Sequence, residues 1–201
     1  MLKVGLTGSI AVGKSNVCSI FEELGCHVLD ADQTAREVVA RGTPGLERIV
    51  SEFGPEVLTE EGELDRKRLG AIVFGDENKR KLLNSIVHPL VIETQDRWIR
   101  ECEDRDPQGI AIVDAALMIE SGGYKRFDKL IVVWSEPAIQ LKRLMLRDKL
   151  TREEAEKRIN SQMPQEEKKR YADMLIDTSQ GFDDTREQTV AIYNALRSQK
   201  R

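Results

Sequence analysis

The sequence is poor in cysteine and shows no cysteine pattern that would cross-link a small fold or hold a zinc ion. It contains three cysteines, Cys18, Cys26 and Cys102. The count is odd and no two of them form a CxxC pair, so the pattern indicates neither a disulfide framework nor a zinc site. A chain of 201 residues can bury a sizeable core without such cross-links. We therefore expect one ordinary domain, with or without an insertion, in a reducing compartment.

Long apolar runs and an excess of basic charge are also missing. No run approaches the length that spans a bilayer, and the first residues lack the apolar stretch and cleavage site of a secretion signal. The net charge of −4 is unlike the strong basic bias of nucleic-acid-binding proteins. We expect a cytoplasmic protein without a membrane or nucleic-acid partner, and its oligomeric state is open.

Five short apolar segments predict the strands of a parallel sheet. Each is followed by a longer segment with helical spacing, which is typical of an α/β fold. The predicted strands are LKVGL from Leu2, HVLD from His27, IAIVD from Ile110, LIVVW from Leu130 and MLID from Met174.

The long stretch between the second and third predicted strands shows only helical patterns. Thr43 and Pro44 predict the cap and first turn of one helix, and a further helix is predicted to begin near Pro89. Later in the chain, the spacing of Thr151 and Glu154 predicts a capping box at the start of a charged helix. These patterns predict a helical insertion on the sheet and a mobile helical flap.

The segment GSIAVGKS, from Gly8 to Ser15, is the most specific motif in the chain. It follows the first predicted strand and opens a helix, which is the context that a G-x-x-x-x-G-K-[ST] phosphate-binding loop (P-loop) requires. Such a loop directs backbone N–H groups at polyphosphate oxygens. Lys14 is predicted to reach the β and γ phosphates, and the Ser15 hydroxyl to bind Mg²⁺. The alternative is a glycine-rich turn that binds nothing.

The remaining motifs distinguish between classes of P-loop protein. The base-reading [NT]KxD motif of GTPases is absent, and the single DxxG, Asp106 to Gly109, precedes its strand instead of following it. A kinase is therefore favoured over a GTPase.

The stretch LDADQ places two carboxylates, Asp30 and Asp32, after the second predicted strand. Residues i and i+2 of an extended segment point to the same side, so we expect both carboxylates on one side. A metal ion or a proton-transfer task would explain the pair. The alternative is that an Asp caps the next helix before Gln33.

The segment GLTGSIAVGKS together with VLDADQTAREVV resembles the dephospho-coenzyme A kinase family. Further matches follow in the order and approximate spacing of that family: GELDRKRLGAIVF, LLNSIVHPLV, ALMIE, QLKRLMLRD and ADMLID. The resemblance covers nearly the whole chain. It implies an adenylate-kinase-like fold and transfer of the ATP γ-phosphoryl group to the 3′-hydroxyl of the dephospho-CoA ribose, giving coenzyme A and ADP.

The resemblance also implies how the chain is divided. The expected fold class is α/β, with a five-stranded parallel-sheet P-loop kinase core, a helical substrate-binding insertion and a helical lid. The nucleotide-binding core would comprise residues 1–40, 108–147 and 172–201, the helical CoA-substrate domain residues 41–107, and the lid residues 148–171.

The site residues follow from the P-loop motif and the resemblance together. The predicted ATP-binding residues are Gly8, Ser9, Ile10, Ala11, Val12, Gly13, Lys14, Ser15, Asn16 and Arg147. The predicted catalytic residues are Lys14, Asp32 and Arg143, with Asp32 as the base that orients or deprotonates the acceptor hydroxyl. The predicted substrate contacts are Asp32, Arg36, His88, Leu117 and Glu120, and the predicted Mg²⁺ ligands are Ser15, Asp30 and Asp114.

Several of these residues have simpler interpretations. Asp114 resembles a Walker-B acid because it ends an apolar run, but an Asp at a strand end often only caps a loop. Arg143 and Arg147 share one helix face and would clamp phosphate oxygens, whereas the simpler role is a solvated basic stripe. His88 either lies near the acceptor's nucleoside or marks a helix boundary before Pro89.

Three departures from the family pattern affect the rim of the site. Ser9 and Ala11 replace loop glycines, and a positive φ at the second position would cost Ala11 roughly 1 kcal/mol. Ala116 stands where the family has a proline, and Thr178 where it has an asparagine.

The competing functions are another nucleotide or small-metabolite kinase and a non-catalytic ATP-binding regulatory module.

Overall fold

The computed structural model of the chain describes residues 1–198 and contains all five predicted strands. They are β1 (Leu2–Thr7), β2 (His27–Asp30), β3 (Ile110–Asp114), β4 (Lys129–Trp134) and β5 (Met174–Asp177). The strands form one parallel sheet in the order β2-β3-β1-β4-β5. The predicted fold class, an α/β chain with a five-stranded parallel sheet, is confirmed.

Helices follow the strands and fill the long segment between β2 and β3. They are α1 (Lys14–Glu23), α2 (Ala31–Glu37), α3 (Pro44–Phe53), α4 (Arg66–Phe74), α5 (Glu77–Arg105), α6 (Pro137–Asp148), α7 (Arg152–Asn160), α8 (Gln165–Lys169) and α9 (Phe182–Ser198). Short 3-10 turns cover Pro55–Val57 and Gly123–Arg126.

The chain divides into two compact units, which are described separately. The sheet unit comprises residues 1–30 and 101–201, and the helical unit comprises residues 31–100. The predicted functional division into core, substrate domain and lid stays a prediction, and the last three residues of the predicted core segment 172–201 lie outside the described residues.

The core of the sheet unit lies between the strands and two flanking helices. Val4, Leu6 and Ile112 of the central strands are fully buried, as are Phe21 of α1 and Leu196 of α9. Strands buried on both faces read as continuous apolar runs, which is why the sequence pattern located them well. All carboxyl ends of the strands lie at one edge, where ligands bind in open α/β sheets.

The helical unit has its own apolar core. Ile49, Val57, Leu69 and Ile86 are buried together, contributed by α3, a 3-10 turn, α4 and α5. The predicted start of α3 is confirmed, because the Thr43 side chain accepts a hydrogen bond from the Leu46 N–H at 3.2 Å and a proline occupies the first turn.

The predicted helix start near Pro89 is wrong, and so is the alternative that His88 marks a helix boundary. Helix α5 runs without interruption from Glu77 to Arg105 with Pro89 inside it. A proline in a helix interior removes one backbone hydrogen bond and costs roughly 3 kcal/mol. Ile86 and Ile99 on either side of it are buried, and this packing holds the helix together across the defect.

The expectation that Asp30 and Asp32 share one side of an extended segment is also wrong. Strand β2 ends at Asp30 and helix α2 begins at Ala31, so Asp32 lies in the first helical turn. It is therefore inside α2 and is not the cap that the alternative placed before Gln33. A carboxylate in a first turn is favoured by the helix dipole.

The predicted charged helix corresponds to α7. Its capping box is confirmed, because the Thr151 hydroxyl accepts from the Glu154 N–H at 3.3 Å and the Glu154 carboxylate accepts from the Thr151 N–H at 2.8 Å.

Within residues 1–198, no helix combines the length and apolar character needed to cross a membrane.

The turn between β1 and α1 contains three residues whose backbone limits what side chain can stand there. A Cβ atom on Gly8 would collide with the carbonyl oxygen of Val133 in β4, so only glycine fits there. Gly13, the N-cap of α1, has a φ of 91°, and Ala11 has a φ of 61°. The sequence-based concern about Ala11 therefore applies, since a residue with a Cβ is strained in this conformation.

We predict that Ala11→Gly leaves the free energy of unfolding unchanged to within ~0.5 kcal/mol. Relief of the left-handed strain offsets the extra freedom that glycine adds to the unfolded chain. The matched control is Ala191→Gly at an exposed position of α9, which should lose about 1 kcal/mol. Denaturant unfolding measures both, and an equal loss in the two variants would contradict the strain at Ala11.

Candidate active site

The P-loop and one face of α6 enclose a cavity of about 530 Å³. Most of the predicted ATP-binding residues, and both predicted arginines, line it. The lining residues are Ser9, Ala11, Val12, Gly13, Lys14, Ser15, Arg143, Leu146 and Arg147. Gly8, Ile10 and Asn16 were predicted with them but belong to the loop and helix without lining the cavity.

The loop ends at the amino terminus of α1, and this gives the cavity its electrostatic character. The first backbone N–H groups of a helix have no partner inside it. Gly13 at the N-cap has no side chain to satisfy them. The N–H groups and the helix dipole together make a site for an anion such as phosphate.

Lys14 and Asp114 form an ion pair beside the loop. The Lys14 Nζ lies 4.0 Å from Asp114 Oδ1, and the two side chains are only 14% and 15% exposed. Cys18 lies on the other side of Asp114, with its Sγ 3.6 Å from Asp114 Oδ2. Burial, and next the negative charge of Asp114, raise the pKa of the Cys18 thiol, so the thiol stays protonated and donates to the carboxylate.

Of the three predicted metal ligands, the two carboxylates are neighbours in the sheet and the hydroxyl lies on a helix. Asp30 and Asp114 are register partners at the ends of β2 and β3, and Ser15 lies in the first turn of α1. Residues 1–198 contain no group of three or more His, Cys, Asp or Glu side chains arranged to hold a metal. Mg²⁺ prefers hard oxygen ligands and usually keeps waters and substrate phosphates, so a hydroxyl and carboxylates beside a phosphate loop fit it.

Arg143 is held in place by the loop that follows β5. Its two terminal nitrogens donate to Thr178 Oγ1 at 2.8 Å and to the Thr178 carbonyl at 2.7 Å. The Thr178 hydroxyl in turn donates to the carbonyl of Val12 in the P-loop at 2.7 Å. Thr178 therefore connects Arg143 to the P-loop and orients the guanidinium at the cavity wall.

Arg147 lines the same cavity but is bound differently. Its Nε donates to Asp148 Oδ1 at 2.8 Å, and Arg158 of α7 donates to Asp148 Oδ2 at 2.8 Å. The hydrogen bond from Arg147 lowers the pKa of Asp148, so this carboxylate stays charged. A single carboxylate thus joins the end of α6 to the predicted lid helix.

Glu120, a predicted substrate contact, has several partners within the sheet unit. Its carboxylate lies 2.8 Å from Lys168 Nζ and accepts from the Met163 N–H at 3.2 Å. Lys168 is fully buried and also donates to the Ala116 carbonyl at 2.7 Å. Burial lowers the pKa of Lys168, and the contact with Glu120 opposes that shift. Leu117, the other predicted contact in this segment, is 51% exposed.

The sequence reasoning missed Lys168 and the glutamines that contact the P-loop. Lys168 lies among charged residues of the kind that usually face solvent, so composition hides it. Gln140 donates to the Ile10 carbonyl at 2.8 Å, and Gln162 accepts from the Ile10 N–H at 2.8 Å. Glutamine has no motif of its own, and only its position in the fold reveals such a role.

The other predicted residues lie in the helical unit. Asp32 and Arg36 are both exposed on α2, four positions apart, and therefore share one face of that helix. His88 lines an open groove of about 480 Å³ along α5, together with Pro89 and Ile92. The grouping of these residues with the P-loop cavity in one active site stays a prediction.

Comparison with known proteins agrees with the geometry of the P-loop cavity. A family model described as dephospho-CoA kinase matches residues 2–184. Dephospho-CoA kinase of Shouchella clausii is 45% identical over 195 residues, covering 97% of both chains, and that of Bacillus cereus is 46% identical over 189 residues, covering 94% of both. The solved structure of dephospho-CoA kinase from Campylobacter jejuni superposes with a TM-score of 0.73 at 32% identity, covering 99% of this chain and 98% of that one. The chain therefore belongs to the dephospho-CoA kinase family and is an ATP-dependent kinase.

Proposed function

We propose that this chain transfers the γ-phosphoryl group of ATP to the 3′-hydroxyl of the dephospho-CoA ribose, giving coenzyme A and ADP. The observation that carries the proposal is the P-loop cavity, where Lys14 and Arg143 meet an uncapped helix amino terminus. The acceptor follows from family membership. Phosphoryl transfer needs mainly positioning and charge neutralisation, and this cavity offers both.

The P-loop supplies the binding site for the ATP phosphates in this proposal. Backbone N–H groups from Ala11 to Ser15 surround the phosphate oxygens, and the Lys14 ammonium neutralises the charge that develops between the β and γ phosphates. Arg143 contacts the transferring group with its guanidinium, which Thr178 already orients. Arg147 contacts the nucleotide from the neighbouring turn of α6.

Mg²⁺ is the cofactor that we propose for the reaction. Ser15 and Asp114 would hold it, with Asp30 beside Asp114 in the register of the sheet. When bound, the ion neutralises phosphate charge. Asp114 meanwhile holds Lys14 near the loop, because the two side chains form an ion pair.

The acceptor contacts that we propose are those that the family resemblance predicts. Asp32 orients or deprotonates the attacking 3′-hydroxyl, and its exposed position on α2 leaves its carboxylate accessible. Arg36, His88, Leu117 and Glu120 are the proposed contacts for the rest of dephospho-CoA.

We also propose a cytoplasmic location, consistent with the three free cysteines.

A coupled assay tests the function directly. With ATP and Mg²⁺, we expect ADP release in the presence of dephospho-CoA and little release with a panel of nucleosides and small alcohols. Preferential turnover of another acceptor would instead identify a different small-metabolite kinase. ATP binding without turnover of any acceptor would indicate a regulatory module.

We predict that Lys14→Met lowers kcat by at least roughly 10²-fold, because a charge that neutralises the transferring phosphate is lost. The methionine keeps the apolar stem and removes only the ammonium. Lys142→Met on the exposed face of α6 is the matched control and should turn over normally. Steady-state assays with both substrates measure the effect, and normal turnover by Lys14→Met would refute the assigned role.

We predict that Asp32→Asn lowers kcat by roughly 10²–10⁴-fold and leaves ATP affinity and melting temperature nearly unchanged. Asparagine keeps the shape but cannot accept the hydroxyl proton. Asp30→Asn should instead weaken Mg²⁺ binding, so added Mg²⁺ should restore part of its activity. If Asp32→Asn turns over like the parent enzyme, the base lies elsewhere.

A further inference from the structure

Both backbone groups of one P-loop residue, Ile10, are bound by glutamine side chains from outside the loop. The Nε2 of Gln140 donates to the Ile10 carbonyl at 2.8 Å. The Ile10 N–H donates to the Oε1 of Gln162 at 2.8 Å. Gln140 belongs to α6 and is 2% exposed, and Gln162 follows α7 and is half-buried. The segments before and after the predicted lid helix α7 therefore contact the same loop residue.

A third glutamine orients the first. The Nε2 of Gln165 donates to the Oε1 of Gln140 at 2.8 Å, which directs the Nε2 of Gln140 at Ile10. Gln165 also exchanges hydrogen bonds with the backbone of Ser135 just after β4, at 3.0 and 3.1 Å. Gln140, Gln162 and Gln165 together form a glutamine clamp that ties Ile10 to the end of the sheet.

The clamp acts on the strained residue of the loop. The Ile10 carbonyl belongs to the peptide group that joins Ile10 to Ala11. The hydrogen bond from Gln140 therefore fixes the orientation of the peptide plane that precedes the Ala11 Cα. In a trans peptide the N–H points away from the C=O, so the Ala11 N–H points away from Gln140. Ala11 itself lines the cavity and has a φ of 61°. Strained backbone persists only where the surroundings determine it firmly.

We propose that the glutamine clamp positions the P-loop for polyphosphate by holding Ala11 at its positive φ. Gln140 and Gln162 are positioning residues, because they act on the loop's backbone and the cavity wall is formed by other residues. The clamp also links the loop to the segments that flank α7. This inference rests on the proposed ATP-binding role of the loop.

The test compares removal of the clamp in two backgrounds. Gln140→Met and Gln162→Met, made singly, should each raise the Kd for ATP with Mg²⁺ by roughly five- to tenfold, as expected for one lost hydrogen bond. In these variants the KM for ATP should rise while kcat at saturating ATP stays near the parent value. With Ala11→Gly present, the same substitutions should raise the Kd by less than roughly threefold, because glycine adopts a positive φ without penalty.

Gln188→Met is the matched control. Gln188 of α9 is a half-buried glutamine that bonds both backbone groups of Asp177, each at 2.9 Å, and the Asp184 carboxylate at 2.6 Å, so its loss removes at least as many contacts as the loss of Gln140 or Gln162. The control should lower the melting temperature and leave the Kd for ATP unchanged. Because Gln162 is half-buried rather than buried, Gln162→Met decides the question if Gln140→Met folds poorly.

Three results would overturn the clamp: an unchanged Kd in Gln162→Met, the same loss with alanine or glycine at position 11, or an equal loss in Gln188→Met. Calorimetry of the parent enzyme with ATP separates this inference from the proposed function. A parent enzyme that fails to bind ATP refutes the function, whereas a parent enzyme that binds ATP alongside clamp variants that bind equally well refutes only the clamp.

Discussion

The turn from β1 into α1 has to leave backbone N–H groups directed at a ligand, and the surrounding structure depends on that constraint. The carbonyls of the loop must then point outward and find other donors, because buried polar groups need partners. The Gln140 side-chain amide donates to the Ile10 carbonyl at 2.8 Å, and the Thr178 hydroxyl donates to the Val12 carbonyl at 2.7 Å. Each bond fixes a peptide plane whose N–H lies on the opposite side. The hydrogen bonds to the loop carbonyls therefore determine which backbone N–H groups point toward the ligand.

The same constraint explains where the loop tolerates a side chain. Gly8 packs against the backbone of Val133 in β4 and has no room for a Cβ. Gly13 adopts a left-handed conformation at the N-cap of α1. Ala11 adopts a left-handed conformation too but carries a methyl group, and its strain is held by hydrogen bonds to the neighbouring peptide.

Two lysines of the sheet unit form ion pairs with carboxylates that are at least three-quarters buried. Lys14 pairs with Asp114, and Lys168 with Glu120. Burial, and to a lesser degree the positive charge of Lys14, lower the pKa of Lys168. A buried charge without a partner costs several kcal/mol, so each lysine needs its carboxylate in the absence of a polyphosphate. The pair with Asp114 keeps the Lys14 cation beside the P-loop at a tolerable desolvation cost, and this suits a site that must attract phosphate.

Much of this protein was determined by its sequence alone, and the rest required the tertiary structure. The three central strands and the P-loop are readable from sequence because the buried parallel strands β1, β3 and β4 are continuous apolar runs and the loop's chemistry depends on adjacent residues. The edge strands β2 and β5 are less buried and show as shorter apolar segments. The apolar run that it ends pointed to Asp114, and the family resemblance pointed to Arg143, but their contacts with Cys18 and Thr178 join segments far apart in the chain. Helix α5 continues through Pro89 because packing outweighs a local preference. The glutamine clamp and the buried Lys168 have no local signal, since only the order β2-β3-β1-β4-β5 brings their partners to the same edge of the sheet.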